Sequence, residues 1–326
     1  AGIARRRPTR ASRPPDATPP TPGNRMWQDA AMKANPHLAG IGFGLLAYGI
    51  WGFFPLYFRQ LAHVSPMDVL SNRAVWACLF VGLLLTLRGL WGKVAAVFRT
   101  PRQLAMLALA ALLVGGNWLM FLWAVANRQV VASSLGYFLT PLVNVLLGLV
   151  VLKERLNRLE WVAVGLALAA LANEVIALGS LPWVSLFLAA TFGTYGLVRK
   201  QVAVDALSGL WLETLAMLPV CGLWALWQAR IGHAVFTGHD LATATLLVGA
   251  GIVTALPLMA FAAATQRLDL ATVGMLMYIN PTLQFLTAVW LFDEPLQPAR
   301  LASFGLIWIG LLVFSWSMWE KVRDRR

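Results

Sequence analysis

Three ionisable residues, Arg73, Glu174 and Glu213, stand inside stretches that are otherwise apolar. Hydrocarbon penalises a charge, so such residues are functional candidates by default. For Arg73 and Glu213 the chemistry would be gating or coupling, with Glu213 also weighed as a proton site. A second set can hydrogen-bond without a charge. Tyr137, Pro141 and Asn144 follow the spacing i, i+4, i+7, which places a hydroxyl, a proline and an amide on one helical face. The proline donates no backbone hydrogen bond and strips the carbonyl of Tyr137 of its partner. Shifted by 140 positions, the stretch returns without a gap: Pro281 falls on Pro141, Gln284 on Asn144, Glu294 on Glu154, and the freed carbonyl is that of Met277. Tyr278 and Asn280 adjoin the second copy, and Tyr48, Trp51, Asn117 and Tyr195 add aromatic or polar groups in other runs. Such a lining suits a small, partly apolar solute better than an inorganic ion.

Bond-making chemistry has no comparable support. The chain contains no H-E-x-x-H, G-x-S-x-G, C-x-x-C or G-x-x-x-x-G-K-[ST] motif. His37, His63, His233 and His239 fall in flanks or loops, and Cys78 and Cys221 sit in apolar runs as small core residues. The expectation is a non-enzyme with no catalytic residues, no metal site and no cofactors.

These groups need elements that cross a membrane. Of 326 residues, 59% are hydrophobic and 12% charged, with a mean hydropathy of +0.68, far more apolar than a soluble fold. Ten apolar runs (38–58, 69–87, 104–126, 132–152, 159–178, 181–198, 207–227, 241–264, 272–292 and 301–319) each approach the length that spans a bilayer. The class expected is therefore an all-α polytopic membrane protein of ten transmembrane helices. Residues 1–35, rich in arginine and proline, read as a disordered tail without a signal-peptide core; Met26 and Met32 would each start just before the first run. The net charge of +12 resides mostly in that tail and in short loops, which fits lipid headgroups rather than nucleic acid. With the N-terminus inside, 21 of the 26 lysines and arginines lie on the cytoplasmic side and 4 outside; without the tail the balance is still 14 to 4. Both termini, including the basic segment 320–326, are expected in the cytoplasm.

The offset of 140 also relates the second run to the seventh and the third to the eighth, while an offset of 144 places Tyr48-Gly49 and Trp51-Gly52 on Phe192-Gly193 and Tyr195-Gly196. Five helices per repeat is an odd number, so segment 181–319 is expected to run upside down relative to 38–178, as two inverted five-helix repeats with a site between them. Arg73 matches Glu213 across that offset, yet the two enter from opposite faces, which predicts separate partners rather than a salt bridge. Arg73 and Glu174 both lie close enough to the outer boundary to snorkel.

Several motifs together resemble the RarD-type branch of the EamA family, in the drug/metabolite transporter superfamily. They include AYGIWGFFPLYF (47–58), NRAVW (72–76), GGNWLMFLWAVAN (115–127), SLGYFLTPLVN (134–144), YGLVRK (195–200), ETLAMLP (213–219) and GIVTALPL (251–258). The resemblance implies ten helices in two inverted repeats, an inner-membrane location, and secondary transport of a small metabolite or drug by alternating access through a central cavity. Chloramphenicol is attached to the branch by name. The chain departs from the branch at Asn72, where His is usual, and at Met277, where Gln is usual. A scaffold without transport and a membrane-embedded enzyme are the competing classes. The partners expected are a small-molecule solute and the lipid bilayer, with no nucleic acid. Gly40 and Gly44 form a G-x-x-x-G that packs helices within a subunit as readily as between subunits, so a homodimer is left open.

Overall fold

The computed structural model describes residues 36–323, except 152, 154, 155, 232–240, 266, 269–271, 274 and 275 and the side chains of 178, 318, 319 and 321–323. The tail, Glu154, His233 and His239 lie outside the described residues.

The described chain is helical, and its helix ends follow from local chemistry. The first run forms α1 (Pro36–Gly52) and, after a one-residue break, α2 (Phe54–Arg59). Proline opens α3 (Pro66–Leu87) and α5 (Pro101–Ala126), where its missing N–H costs nothing. Between them lies α4 (Trp91–Phe98), too short to cross a bilayer; it buries Val94 and Val97 and sets Trp91 edge-to-face against Trp211, 4.9 Å between centroids. The fourth run is α6 (Val130–Val150) and the fifth is α7 (Arg158–Leu178). Asn157 and Glu160 make a reciprocal capping box at the start of α7, and Gly179 ends it in the left-handed conformation (φ 64°) that favours glycine. The second half comprises α8 (Trp183–Gln201), α9 (Ala206–Arg230), α10 (Leu241–Thr265), α11 (Ile279–Leu286), continued by a π turn at Thr287–Leu291, and α12 (Pro298–Arg323). Asp205 caps α9 by accepting from Ser208 N at 3.1 Å.

Eight helices among the described residues are long and apolar enough to cross a membrane. The sixth and ninth runs are not among them. The sixth forms α8, which carries Ser185, Thr191, Thr194, Arg199 and Lys200. The ninth does not form one uninterrupted helix: Met277 and Tyr278 are in a turn, and α11 begins at Ile279. The paired prolines therefore differ. Pro141 sits inside continuous α6, whereas Pro281 is the third residue of α11, where a helix needs no N–H donor from it.

Side-chain distribution fits a bilayer environment. Leu79, Leu112, Ile176, Leu223 and Leu312 are 58–81% exposed on the helix exteriors, which is tolerable when the surroundings are lipid. Inward faces carry small residues, Ala47, Ala74, Ala77, Ala110, Ala124 and Ala189 among them, which allow close helix approach.

Helix pairing mirrors the sequence repeat. Helix α1 packs on α10 and α11, and α8, its counterpart, packs on α5 and α6; α3 pairs with α9, α6 with α11, and α7 with α12. Exchanging the halves leaves this pairing unchanged. The two halves are nevertheless unequal in detail. A Cβ on Gly193 would meet Val143 at 2.8 Å, whereas Leu283, the counterpart of Val143, stands 2.6 Å from the Cβ position of Gly52, one turn beyond Gly49, the counterpart of Gly193. Gly40 and Gly44 seat Leu268 and Leu276, so the G-x-x-x-G serves packing within the chain.

Candidate functional site

The sequence candidates fall into four groups of contacts. The first centres on Arg73, in the first half of α3. Its guanidinium lies 3.9 Å from the Trp118 ring centroid and 5.2 and 5.5 Å from those of Phe58 and Phe54. Its Nε donates to Thr254 Oγ1 at 2.7 Å, and that hydroxyl in turn donates to Ala250 O at 2.7 Å. Gly251 makes this reach possible: a Cβ there would stand 2.5 Å from Ala77 N, so α10 touches the backbone of α3 one turn before Thr254. Arg73 does not snorkel, being only 2% exposed, and makes no ion pair among the described residues. Removing an ion from water costs several kcal/mol; a desolvated cation–π contact returns about 2 kcal/mol and a hydrogen bond from a charged donor about 1.5–3 kcal/mol.

Asn117 organises the second group. Its Nδ2 donates to Leu188 O at 3.0 Å and to Thr191 Oγ1 at 2.9 Å, and its Oδ1 accepts from the Tyr137 hydroxyl at 3.0 Å. Three helices, α5, α6 and α8, are thereby tied across the boundary between halves. The Asn144 Oδ1 lies 3.2 Å from the Cβ position of Gly193, on the same α6–α8 seam as Pro141.

The third group is Tyr195, Arg199 and Glu213. The Tyr195 hydroxyl donates to Glu213 Oε2 at 3.2 Å, and Arg199 Nε is 3.3 Å from Glu213 Oε1, an ion pair whose angle does not make a hydrogen bond. Gly209 lets the Arg199 guanidinium lie flat on α9, since a Cβ there would come 2.6 Å from Cζ. Arg73 and Glu213 thus have different partners.

Rings join these three groups. Phe58 meets Phe121 at 6.2 Å between centroids, Phe121 meets Tyr137 at 6.2 Å, Tyr137 meets Phe192 at 5.8 Å, and Phe192 meets Tyr195 at 5.9 Å. The line runs from beneath Arg73 to Glu213.

The fourth group belongs to the other seam. Tyr48, Trp51 and Phe261 form a triangle of rings 5.5–6.0 Å apart. By the repeat offsets these are the counterparts of Phe192, Tyr195 and Phe121. Gln284 Nε2 donates to Asn280 Oδ1 at 2.8 Å and reaches Trp51 O at 3.5 Å, while its Oε1 is sealed off without a partner. Tyr278 turns toward Ser315 of α12, away from this triangle.

One further charged residue departs from expectation, and a second takes a capping role. Glu174 does not snorkel; it is 1% exposed and pairs with Arg300 Nε at 2.7 Å, pinning α7 to α12. Glu294 accepts from Val130 N at 2.9 Å and Val131 N at 2.8 Å and so caps α6. Burial pushes its carboxyl above the ordinary value; the two N–H groups, Arg59 and Arg300 oppose that rise. Thr254, Trp118, Thr191, Phe192 and Arg199 were not singled out from sequence. Arg199 alone had a local signal, one helical turn after Tyr195.

A groove of about 440 Å³ lies elsewhere, between α1, α2 and α10, lined by Leu45, Leu46, Phe53, Phe54 and Val253 among others. Leu45, Leu46 and Phe53 are about half exposed there, so it opens sideways toward hydrocarbon.

Membrane-crossing helices, a duplicated arrangement and polar groups gathered between the two halves define the polytopic class of membrane transport proteins. The description "EamA-like transporter family" matches residues 38–173. An uncharacterized transporter of Pseudomonas aeruginosa is 44% identical over 287 residues, covering 87% of this chain and 95% of that protein. Protein RarD of Escherichia coli is 40% identical over 283 residues, covering 87% and 96%. A solved crystal structure aligns with a TM-score of 0.53 at 20% identity over 84% of this chain and 96% of that one, a likeness of fold. The chain belongs to the RarD-type branch of the EamA-like transporter family.

Proposed function

We propose that this protein is a secondary transporter that moves a small, partly apolar or amphipathic solute across a bacterial inner membrane by alternating access, with both termini in the cytoplasm. The observation that carries this reading is the ring-and-polar line from Arg73 through Tyr137 and Asn117 to Tyr195 and Glu213, set between two halves whose helix pairing is unchanged by exchange. Ionisable groups in hydrocarbon are costly and so mark binding or passage, and a site between inverted repeats is where such folds bind their solutes. The 21-to-4 asymmetry of basic residues supports the orientation. The family membership and the transporter names of relatives support the class.

Reconstituted vesicles test it directly. Uptake and efflux of chloramphenicol and of small aromatic acids, amides and amines are followed with and without a proton gradient. The expected result is solute flux above that of protein-free vesicles, lowered about tenfold or more by Asn117→Leu in protein that remains folded. If no member of the panel crosses faster than in protein-free vesicles, the reading fails.

A further inference from the structure

Arg73 is a charge with no countercharge among the described residues. It is 2% exposed, and its neighbours are apolar rings and a hydroxyl: Phe54 and Phe58 from α2, Trp118 from α5 and Thr254 from α10. Tyr137 of α6 is close enough to interact with it electrostatically, one ring beyond Phe121. The carboxylate nearest in sequence, Asp68, is turned to other partners, Trp224 Nε1 at 2.6 Å and Gln228 Nε2 at 3.4 Å. The other three buried carboxylates within spans are also engaged, Glu174 with Arg300, Glu213 with Arg199, and Glu160 in the capping box with Asn157.

The guanidinium is held but not saturated. Its Nε hydrogen goes to Thr254 and one face lies over Trp118, which fixes the plane. The two Nη nitrogens make no hydrogen bond among the described residues, yet they are not among the sealed polar atoms, so they border accessible space. An arginine fixed in this way presents the paired N–H groups of its Nη edge, the geometry that takes both oxygens of a carboxylate. Its single positive charge in a low-dielectric site matches one negative charge; a dianion would carry an uncompensated charge into the same place.

We propose that Arg73 is the anion-binding residue of a solute subsite, and that the solute is an aromatic or similarly flat apolar carboxylic acid bound as its monoanion. The carboxylate meets the Nη edge of Arg73. The apolar body lies along Phe58, Phe121 and Tyr137, and the Tyr137–Asn117 pair reads a polar substituent. This reading rests on the transport function proposed above and assigns its substrate class.

The test uses full-length protein in lipid nanodiscs and three isosteres, 3-phenylpropanoate, 3-phenylpropanamide and 3-phenylpropylamine, with binding followed by tryptophan fluorescence and calorimetry. The acid is expected to bind at least tenfold tighter than the amide, and the amine not at all. Arg73→Gln removes the preference for the acid, and Arg73→Lys restores part of it. Thr254→Val, which keeps the charge but frees the guanidinium, weakens the acid severalfold and leaves the amide unchanged; this variant decides the matter if Arg73→Gln does not fold. Equal binding of acid and amide, no acid binding up to 10 mM, or full acid preference in folded Arg73→Gln overturns the proposal. Vesicle exchange separates it from the transport reading. Selective acid binding without exchange removes transport and keeps the subsite; exchange of acid and neutral solutes alike that is indifferent to Arg73→Gln removes the subsite and keeps transport.

Discussion

Replacing Gly251 by alanine should cost more than its single methyl group suggests. The added Cβ would stand 2.5 Å from Ala77 N and 2.6 Å from Trp76 Cβ. Backbone cannot rotate away as a side-chain tip can, so α10 must retreat from α3 by about 1 Å to reach ordinary contact. Overpacking of this kind costs about 1–3 kcal/mol. Thr254 lies on the same helix one turn further, and the same retreat would stretch its 2.7 Å bond to Arg73 Nε to about 3.7 Å, beyond hydrogen-bonding range. Losing a bond from a charged donor adds about 1.5–3 kcal/mol, for a total of roughly 2.5–6 kcal/mol. Gly222→Ala is the matched control: no atom lies within 4 Å of its Cβ position on α9, and alanine there should be neutral or stabilise by up to about 1 kcal/mol. Denaturant unfolding of both variants in nanodiscs measures the difference. If Gly251→Ala is as stable as Gly222→Ala, the close approach of α10 to α3 and the placement of Thr254 that depends on it are wrong.

Other perturbations follow from the remaining groups. Gly209→Val should drive the Arg199 guanidinium off α9 and uncouple it from Glu213, giving the same loss of vesicle flux as Arg199→Gln; normal flux would show that the ion pair is dispensable. Gln284→Leu and Asn144→Leu should each reduce flux severalfold with the protein still inserted and abundant, and normal flux in the double variant would leave both as packing residues. Because burial raises the Glu294 carboxyl above its ordinary value near 4.5, the folded state binds that proton more tightly than the unfolded state in the window between the two values. The stabilisation from this group is therefore full below the ordinary value and lost as pH rises through the raised one. Melting against pH should show that loss in wild type and its absence in Glu294→Gln; parallel curves would contradict it. Cysteine labelling in whole cells should place position 153 and position 293 on opposite sides of the membrane, and labelling from one side would refute the inverted arrangement.

The all-helical class and the family were legible in the sequence because both are written locally. An apolar run announces a span, and a motif such as NRAVW or SLGYFLTPLVN is contiguous. What escaped was of two kinds. Short elements fall below the resolution of hydropathy: α4 is 8 residues long, and the turn at Met277 and Tyr278 interrupts a run that remains apolar throughout. Partnerships across the fold are the other kind. Arg73 and Thr254 are 181 residues apart, Glu294 and Val130 are 164, and nothing in either neighbourhood signals the other. The boundary position of Glu174 suggested that it would reach for water, but Arg300, 126 residues away, supplies the countercharge instead.

The unequal seating of Val143 and Leu283 has a consequence for how a second shape of the molecule would be built. Interchanging the arrangements of the two halves would carry Val143 from Gly193 to Gly196 and Leu283 from Gly52 to Gly49, each a slide of one turn, about 4.5 Å. Neither destination is obstructed, since Gly49 and Gly196 have open space where a Cβ would stand. The interchanged shape would rest on the same kinds of contact in opposite places, a branched aliphatic side chain against a helix glycine. Its energy would therefore lie near that of the present one without any added device. Bulk added at Gly49 or Gly196 would obstruct that interchange and hold the chain in the form seen here.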